Sequence, residues 1–133
     1  MEWTRSILVV DDEPATREMV VELLREEGLD AHPASSVDEA LEALQQGRFE
    51  AILSDIQMPG KDGFTLLSEL RQRGTRIPVI LMTSFGTEET AHQAVAAGAL
   101  DCLLKPFARS ALLESVHRAF GARAEADDPV TCS

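Results

Sequence analysis

Ile7-Leu8-Val9-Val10-Asp11-Asp12-Glu13-Pro14 is the stretch on which the fold turns. Four consecutive aliphatic residues, with no polar alternation, suit a strand covered on both faces. The run stops at three acids in a row. Pro14 then suits the first turn of a helix, where its missing N–H costs nothing. A short buried strand thus delivers carboxylates directly to the start of a helix.

Downstream the same alternation recurs. Met19, Val20, Leu23 and Leu24 share one face of the helix that Pro14 opens, and Gly28 is a natural stop. A weak strand is predicted around Asp30 to Ala34. Ser36-Val37-Asp38-Glu39 has capping-box spacing, with Ala40, Leu41 and Leu44 continuing an apolar face. The next strand, Ala51 to Ser54, ends at Asp55, and Gly60 and Gly63 punctuate the loop beyond it. Phe64, Leu67 and Leu70 follow at helical spacing, and Ile77 to Met82 is the fourth strand. After a turn at Phe85-Gly86, Thr87-Glu88-Glu89 caps a helix whose apolar residues are Ala91, Ala94 and Val95. Leu100 to Leu104 is the fifth strand. Leu112, Leu113, Val116 and Phe120 mark a last helix ending before Gly121. The pattern predicts an α/β domain of five parallel strands and five helices, doubly wound, with right-handed crossovers and helices on both faces.

The 133 residues hold 12 Lys+Arg against 23 Asp+Glu, a formal net charge of -11. That balance argues against a nucleic-acid footprint, which needs cations to replace counterions. The aliphatic runs are far shorter than the ~20 residues of a membrane span, and Met1 to Ser6 carry no secretory pattern. Cys102 and Cys132 make neither a metal cluster nor a disulfide framework. The expectation is one soluble, cytoplasmic domain over residues 1–121, with 122–133 an acidic tail or the start of a linker.

In an open parallel sheet, ligands gather beyond the carboxyl ends of the strands. The first strand delivers Asp11 and Asp12 there, the third Asp55, the fourth Thr83 and Ser84, the fifth Lys105. Carboxylates crowded together repel unless a cation intervenes. Mg2+ suits them, since it takes one or two carboxylates and leaves room for water and phosphate oxygens. With a lysine and a hydroxyl alongside, such a site is built to receive a phosphoryl group. Asp55, alone on its strand while Asp11 and Asp12 are paired, is the candidate nucleophile. Taken singly, Asp11 and Asp12 could cap a helix, Asp55 could be a turn residue, Thr83 a structural hydroxyl and Lys105 a solvated cation. Their shared position at strand ends favours a site.

These segments, with Ile52-Leu53-Ser54-Asp55-Ile56-Gln57-Met58-Pro59-Gly60, Asp62-Gly63, Leu81-Met82-Thr83-Ser84, Gly98-Ala99-Leu100-Asp101 and Leu104-Lys105-Pro106-Phe107, resemble the receiver domain of bacterial two-component response regulators, from about Ser6 to Gly121. Phe85-Gly86-Thr87-Glu88-Glu89-Thr90 resembles receivers attached to ATPase-type transcriptional activators. The resemblance implies a flavodoxin-like sheet of order 2-1-3-4-5. It further implies phosphoryl transfer from a histidine kinase or phosphotransfer protein onto Asp55, with Mg2+ held by Asp11, Asp12, Asp55 and the backbone carbonyl of Gln57. Thr83 then follows the phosphoryl group and Lys105 pairs with it. Lys105-Pro106 is expected to be cis. The implied function is a signalling switch rather than an enzyme, turning over only its own slow autodephosphorylation, with Gln57 among the residues that tune its lifetime. An output domain or downstream protein, and a phosphorylation-dependent homodimer through the last helices, are implied partners.

One position departs from the family. Cys102 stands where an aromatic three residues before the lysine usually swings inward. The helix after Phe85 and the strand of Cys102 are nonetheless expected to shift on activation, because Thr83 is intact. Three rivals compete. A haloacid-dehalogenase-type phosphatase would want an acid where Gln57 stands. A flavodoxin-like nucleotide binder would want Gly, Ser and Thr where Asp11-Asp12-Glu13 repel phosphate. A pseudo-receiver that only docks partners would not need the full set. His32, His92 and His117 show no ligand spacing. Cys102 reads as a small buried hydrophobe, Cys132 as an exposed thiol, Met58 as loop packing and Trp3 as edge packing.

Overall fold

Strand β1 (Ser6–Val10) pairs in parallel with both β2 (Asp30–Ala34) and β3 (Ala51–Asp55). β3 continues to β4 (Val79–Thr83), and β4 to β5 (Asp101–Leu104), again in parallel. The order is β2-β1-β3-β4-β5, as the flavodoxin-like expectation had it. In this computed structural model residues 5–127 are described, with side chains through Gly121. Trp3, Cys132 and the side chains of the expected tail lie outside the described residues.

The uninterrupted aliphatic run of β1 is accounted for by two cores. Leu8 and Val10 point into one, with Val37, Ala40 and Leu41 of α2 (Val37–Gln46), Leu66, Leu67 and Leu70 of α3 (Gly63–Gln72), and Ala94 of α4 (Glu88–Ala96). Ile7 and Val9 point into the other, with Val20, Val21 and Leu24 of α1 (Pro14–Glu26) and Leu112, Val116 and Phe120 of α5 (Arg109–Asp127). A strand with helices on both sides has no solvent face, so alternation is lost from its sequence. Each fully buried Leu or Ile here contributes about 1.5–3 kcal/mol. Pro33 is tolerated because β2 is an edge strand.

Local capping agrees with the residue types, with one shift. The Ser36 side chain accepts from Glu39 N–H at 3.1 Å, but the Glu39 carboxylate reaches back to Ser35 N–H at 2.8 Å, one residue beyond a standard capping box. Thr87 caps α4 through Thr90 N–H. Asp62 caps α3 through Thr65 N–H at 2.9 Å.

Three details differ from the sequence reading. Met19 is exposed and Val21 is buried in its place, so the inward stripe of α1 is 20, 21 and 24. Apolar residues at 19, 20, 21, 23 and 24 leave the helix's rotation open, and packing on the sheet chooses. Val95 of α4 is likewise exposed, Ala94 alone being buried there. The last helix does not stop at Gly121 but runs on to Asp127. The alanines at 122, 124 and 126 favour continuation, and one glycine costs a helix only about 1 kcal/mol.

Candidate functional site

The chain changes winding direction at β1, whose two neighbours are β2 and β3. The crevice between β1 and β3 is therefore the topological switch point, where open α/β sheets bind ligands. Asp11 follows the last residue of β1 and Asp55 ends β3. Together with Asp12 they offer carboxylate oxygens that all lie within 4.8 Å of one another. Thr83 ends β4, and Lys105 follows β5.

Burial divides the acids. Asp11 is inaccessible to solvent, and Asp12 is exposed. Asp11 Oδ1 accepts from Glu13 N–H at 3.0 Å, and Arg17 donates to the Asp11 backbone carbonyl at 2.9 Å. Lys105 Nζ lies 2.9 Å from Asp11 Oδ2 and 3.4 Å from Asp55 Oδ1. The first contact is a hydrogen bond, whereas the second is an ion pair without hydrogen-bond geometry. Asp55 Oδ1 is consequently buried with no hydrogen-bond partner among the described residues. Burial raises the Asp55 carboxyl from 3.8 to about 6, against the pull of Lys105 and with a further push from Asp11 and Asp12. Burial works against the Lys105 ammonium, but the bond to Asp11 and the charge on Asp55 outweigh it, so its pKa is raised.

Buried polar atoms in folded proteins are nearly all paired. An orphaned carboxylate oxygen amid two further carboxylates therefore fits a cation or a reacting group. The donor set is hard oxygen throughout, which suits Mg2+ and not a thiolate-seeking metal.

Asp11, Asp12, Asp55, Thr83 and Lys105 are thus brought to one edge. Ser84 is exposed on the rim. The Lys105–Pro106 peptide is cis. Cys102 is half-buried against the core of α2 and α3, and burial pushes its thiol pKa up. Met58 is buried there too. His32 is exposed, with Nε2 3.0 Å from Asp30 Oδ2 and its ring edge-on to Phe49.

Two contacts were not foreseen. Gly63 lies so close to Asp55 that a Cβ at that position would meet the Asp55 carbonyl oxygen at 2.6 Å. Thr83 Oγ1 donates to the side-chain Oε1 of Gln57 at 2.9 Å. The first has a trace in the sequence, a glycine opening a helix. The second has none, because Gln57 was read for its backbone carbonyl and its lifetime effect.

Residues 7–117 match the family model of the response regulator receiver domain. The chain belongs to that family. FleR, a response regulator protein of Pseudomonas aeruginosa, is 39% identical over 112 residues, covering 84% of this chain and 24% of that protein. AtoC, a regulatory protein of Escherichia coli, is 40% identical over 113 residues, covering 85% and 24%. The receiver thus spans about a quarter of the length of these relatives. Among solved structures, the chemotaxis protein CheY4 of Vibrio cholerae superposes with a TM-score of 0.82 at 31% identity, covering 88% of this chain and 99% of that one. Membership makes this chain a regulatory receiver of the two-component type and does not favour the phosphatase alternative. Phosphorylation on aspartate and use of Mg2+ are typical of receivers. No helix among the described residues is long and apolar enough to cross a membrane.

Proposed function

We propose that Asp55 is the phosphoacceptor of this receiver, with Thr83 and Lys105 as its partners. The observation that carries the assignment is the orphaned, buried Asp55 Oδ1 beside Lys105. With its pKa near 6, Asp55 is mostly a carboxylate at pH 7 and free to attack. Its oxygen forms the new O–P bond as the P–N bond of a phosphohistidine breaks, the electron pair leaving on the imidazole. Lys105 then exchanges part of its hold on Asp11 for a phosphoryl oxygen, and Thr83 donates to another. Asp11, Asp12 and Asp55, with the backbone carbonyl of Gln57, would hold Mg2+, which when bound offsets the charge gathered by carboxylates and phosphoryl oxygens. Attack of water on phosphorus breaks the P–O bond, returning inorganic phosphate and the Asp55 carboxylate. The domain is regulatory, and this slow reset is its one turnover.

The donor partner is a histidine kinase or phosphotransfer protein in the cytoplasm. The state of Asp55 controls an output domain or downstream protein, in a homodimer or otherwise, with no direct grip on nucleic acid or membrane. The receiver unit is residues 1–121, with 122–133 as an acidic tail or the start of a linker whose first residues continue α5 to Asp127.

Incubation with acetyl phosphate and Mg2+, read by intact mass, should add one phosphoryl group to the protein. Chelation by EDTA and the Asp55→Asn variant should each abolish the gain. Equal labelling of Asp55→Asn would remove Asp55 from the role.

A further inference from the structure

The side chain of Gln57 does more than flank the loop. Thr83 is buried, with 1% of its surface exposed, and its hydroxyl is engaged on both sides. Oγ1 donates to Gln57 Oε1 at 2.9 Å and accepts from Phe85 N–H at 3.1 Å. A hydroxyl has a single proton to give. While the bond to Gln57 stands, Thr83 has none for a phosphoryl oxygen.

We propose that Gln57 is a positioning residue that latches Thr83 in the resting receiver, so that a phosphoryl group is held by Thr83 only after the Gln57–Thr83 bond breaks. The proposal rests on the reading of Asp55 and Thr83 given above and adds a cost to it. Gln57 is exposed, so its freed amide oxygen passes to water and the latch is reversible. Thr83 is fixed on its other side by the turn that follows β4. A Cβ on Gly86 would meet Thr83 Cγ2 at 2.7 Å and Leu104 Cδ1 at 3.0 Å, so the glycine lets the turn close on both side chains. Release of the latch therefore displaces a hydroxyl to which the Phe85 amide is bonded. That turn is one of the elements in direct contact with the moving threonine, through the Phe85 amide and Gly86.

The test is a double-mutant cycle on the full chain, with beryllofluoride and Mg2+ as the phosphoryl mimic and affinity read by calorimetry. Gln57→Met keeps the length of the side chain and removes the acceptor, while Thr83→Val removes the proton and keeps the shape. Gln57→Met should tighten beryllofluoride binding roughly 2- to 10-fold, the range of one neutral hydrogen bond. In the Thr83→Val background the same substitution should have no effect. Unchanged affinity in Gln57→Met, or equal tightening in both backgrounds, would overturn the latch. If the wild-type protein binds no beryllofluoride even with Mg2+, the assignment of the site itself falls, and the latch with it.

Discussion

Lys105 and Asp11 lie 94 positions apart in the chain, yet Lys105 Nζ is 2.9 Å from the buried Asp11 Oδ2. This pair supplies the nearest countercharge to a carboxylate that solvent cannot reach. It also sets how the site responds to substitution, acid and metal.

Replacement of Lys105 by Met, of similar length and no charge, leaves Asp11 buried without its cation. The cost should be about 3 kcal/mol at pH 7 in EDTA, the loss that follows removal of one member of a buried pair. Mg2+ should restore more stability to the variant than to the wild type, because the acids then have a substitute countercharge. Urea unfolding with and without Mg2+ measures both, and an unchanged midpoint in EDTA would contradict the pairing.

Asp55 makes stability depend on pH in the opposite sense to a salt-bridged acid. Its folded pKa of about 6 lies above its ordinary 3.8. Between those values the native state binds more protons than the unfolded chain, so metal-free stability is full below the window and falls as pH rises through it. Asp55→Asn should flatten that portion of the profile and raise stability at pH 7 by about 1–3 kcal/mol. Denaturant midpoints in EDTA from pH 4 to 7 decide the matter. A wild-type profile parallel to that of the variant would refute it.

Gly63 is required by proximity, not by backbone conformation. Its Cβ position is 2.6 Å from the Asp55 carbonyl oxygen and 3.1 Å from Ile56 Cα, and neither backbone atom can rotate away. Gly63→Ala should cost about 1–3 kcal/mol as overpacking and slow labelling by acetyl phosphate, since relief of the clash displaces the phosphoacceptor. Normal labelling at full stability would show the backbone to be softer than its packing implies.

Ser36→Ala serves as the contrast. The loss of the bond from Glu39 N–H should cost about 1 kcal/mol. α2 contributes nothing to the phosphoryl edge, so the labelling rate of the folded variant should equal that of the wild type. A slowed rate would reveal a coupling from α2 to the site.

Local composition carried a large part of this architecture. Apolar runs marked β1, β3, β4 and β5, and β2 with Pro33 inside it only weakly, and the residues at the ends of those four runs were Asp11, Asp55, Thr83 and Lys105. Helix rotation was less well encoded. The reading of α1 put Met19 on the inward face, and packing on the sheet instead buries Val21 and exposes Met19. Gly121 read as a stop because glycine often ends helices, but nothing obliges a glycine with a helical neighbourhood to do so. Strand order came with the family resemblance, since alternation alone does not say which strands are neighbours.

Run length, residue type and spacing are properties of a few consecutive residues, so they can declare strands, caps and the acids at strand ends without reference to the rest of the chain. Which atoms of those residues meet is another matter. The winding reversal at β1 sets Asp11 beside Asp55, the β5 crossover brings Lys105 to both, and the fold of the loop after Asp55 gives Thr83 to Gln57. Hydrogen bonds and ion pairs act over about 3 Å, and no local preference of a chain segment specifies a distance of that order to a residue dozens of positions away. Close packing of the finished sheet and helices does.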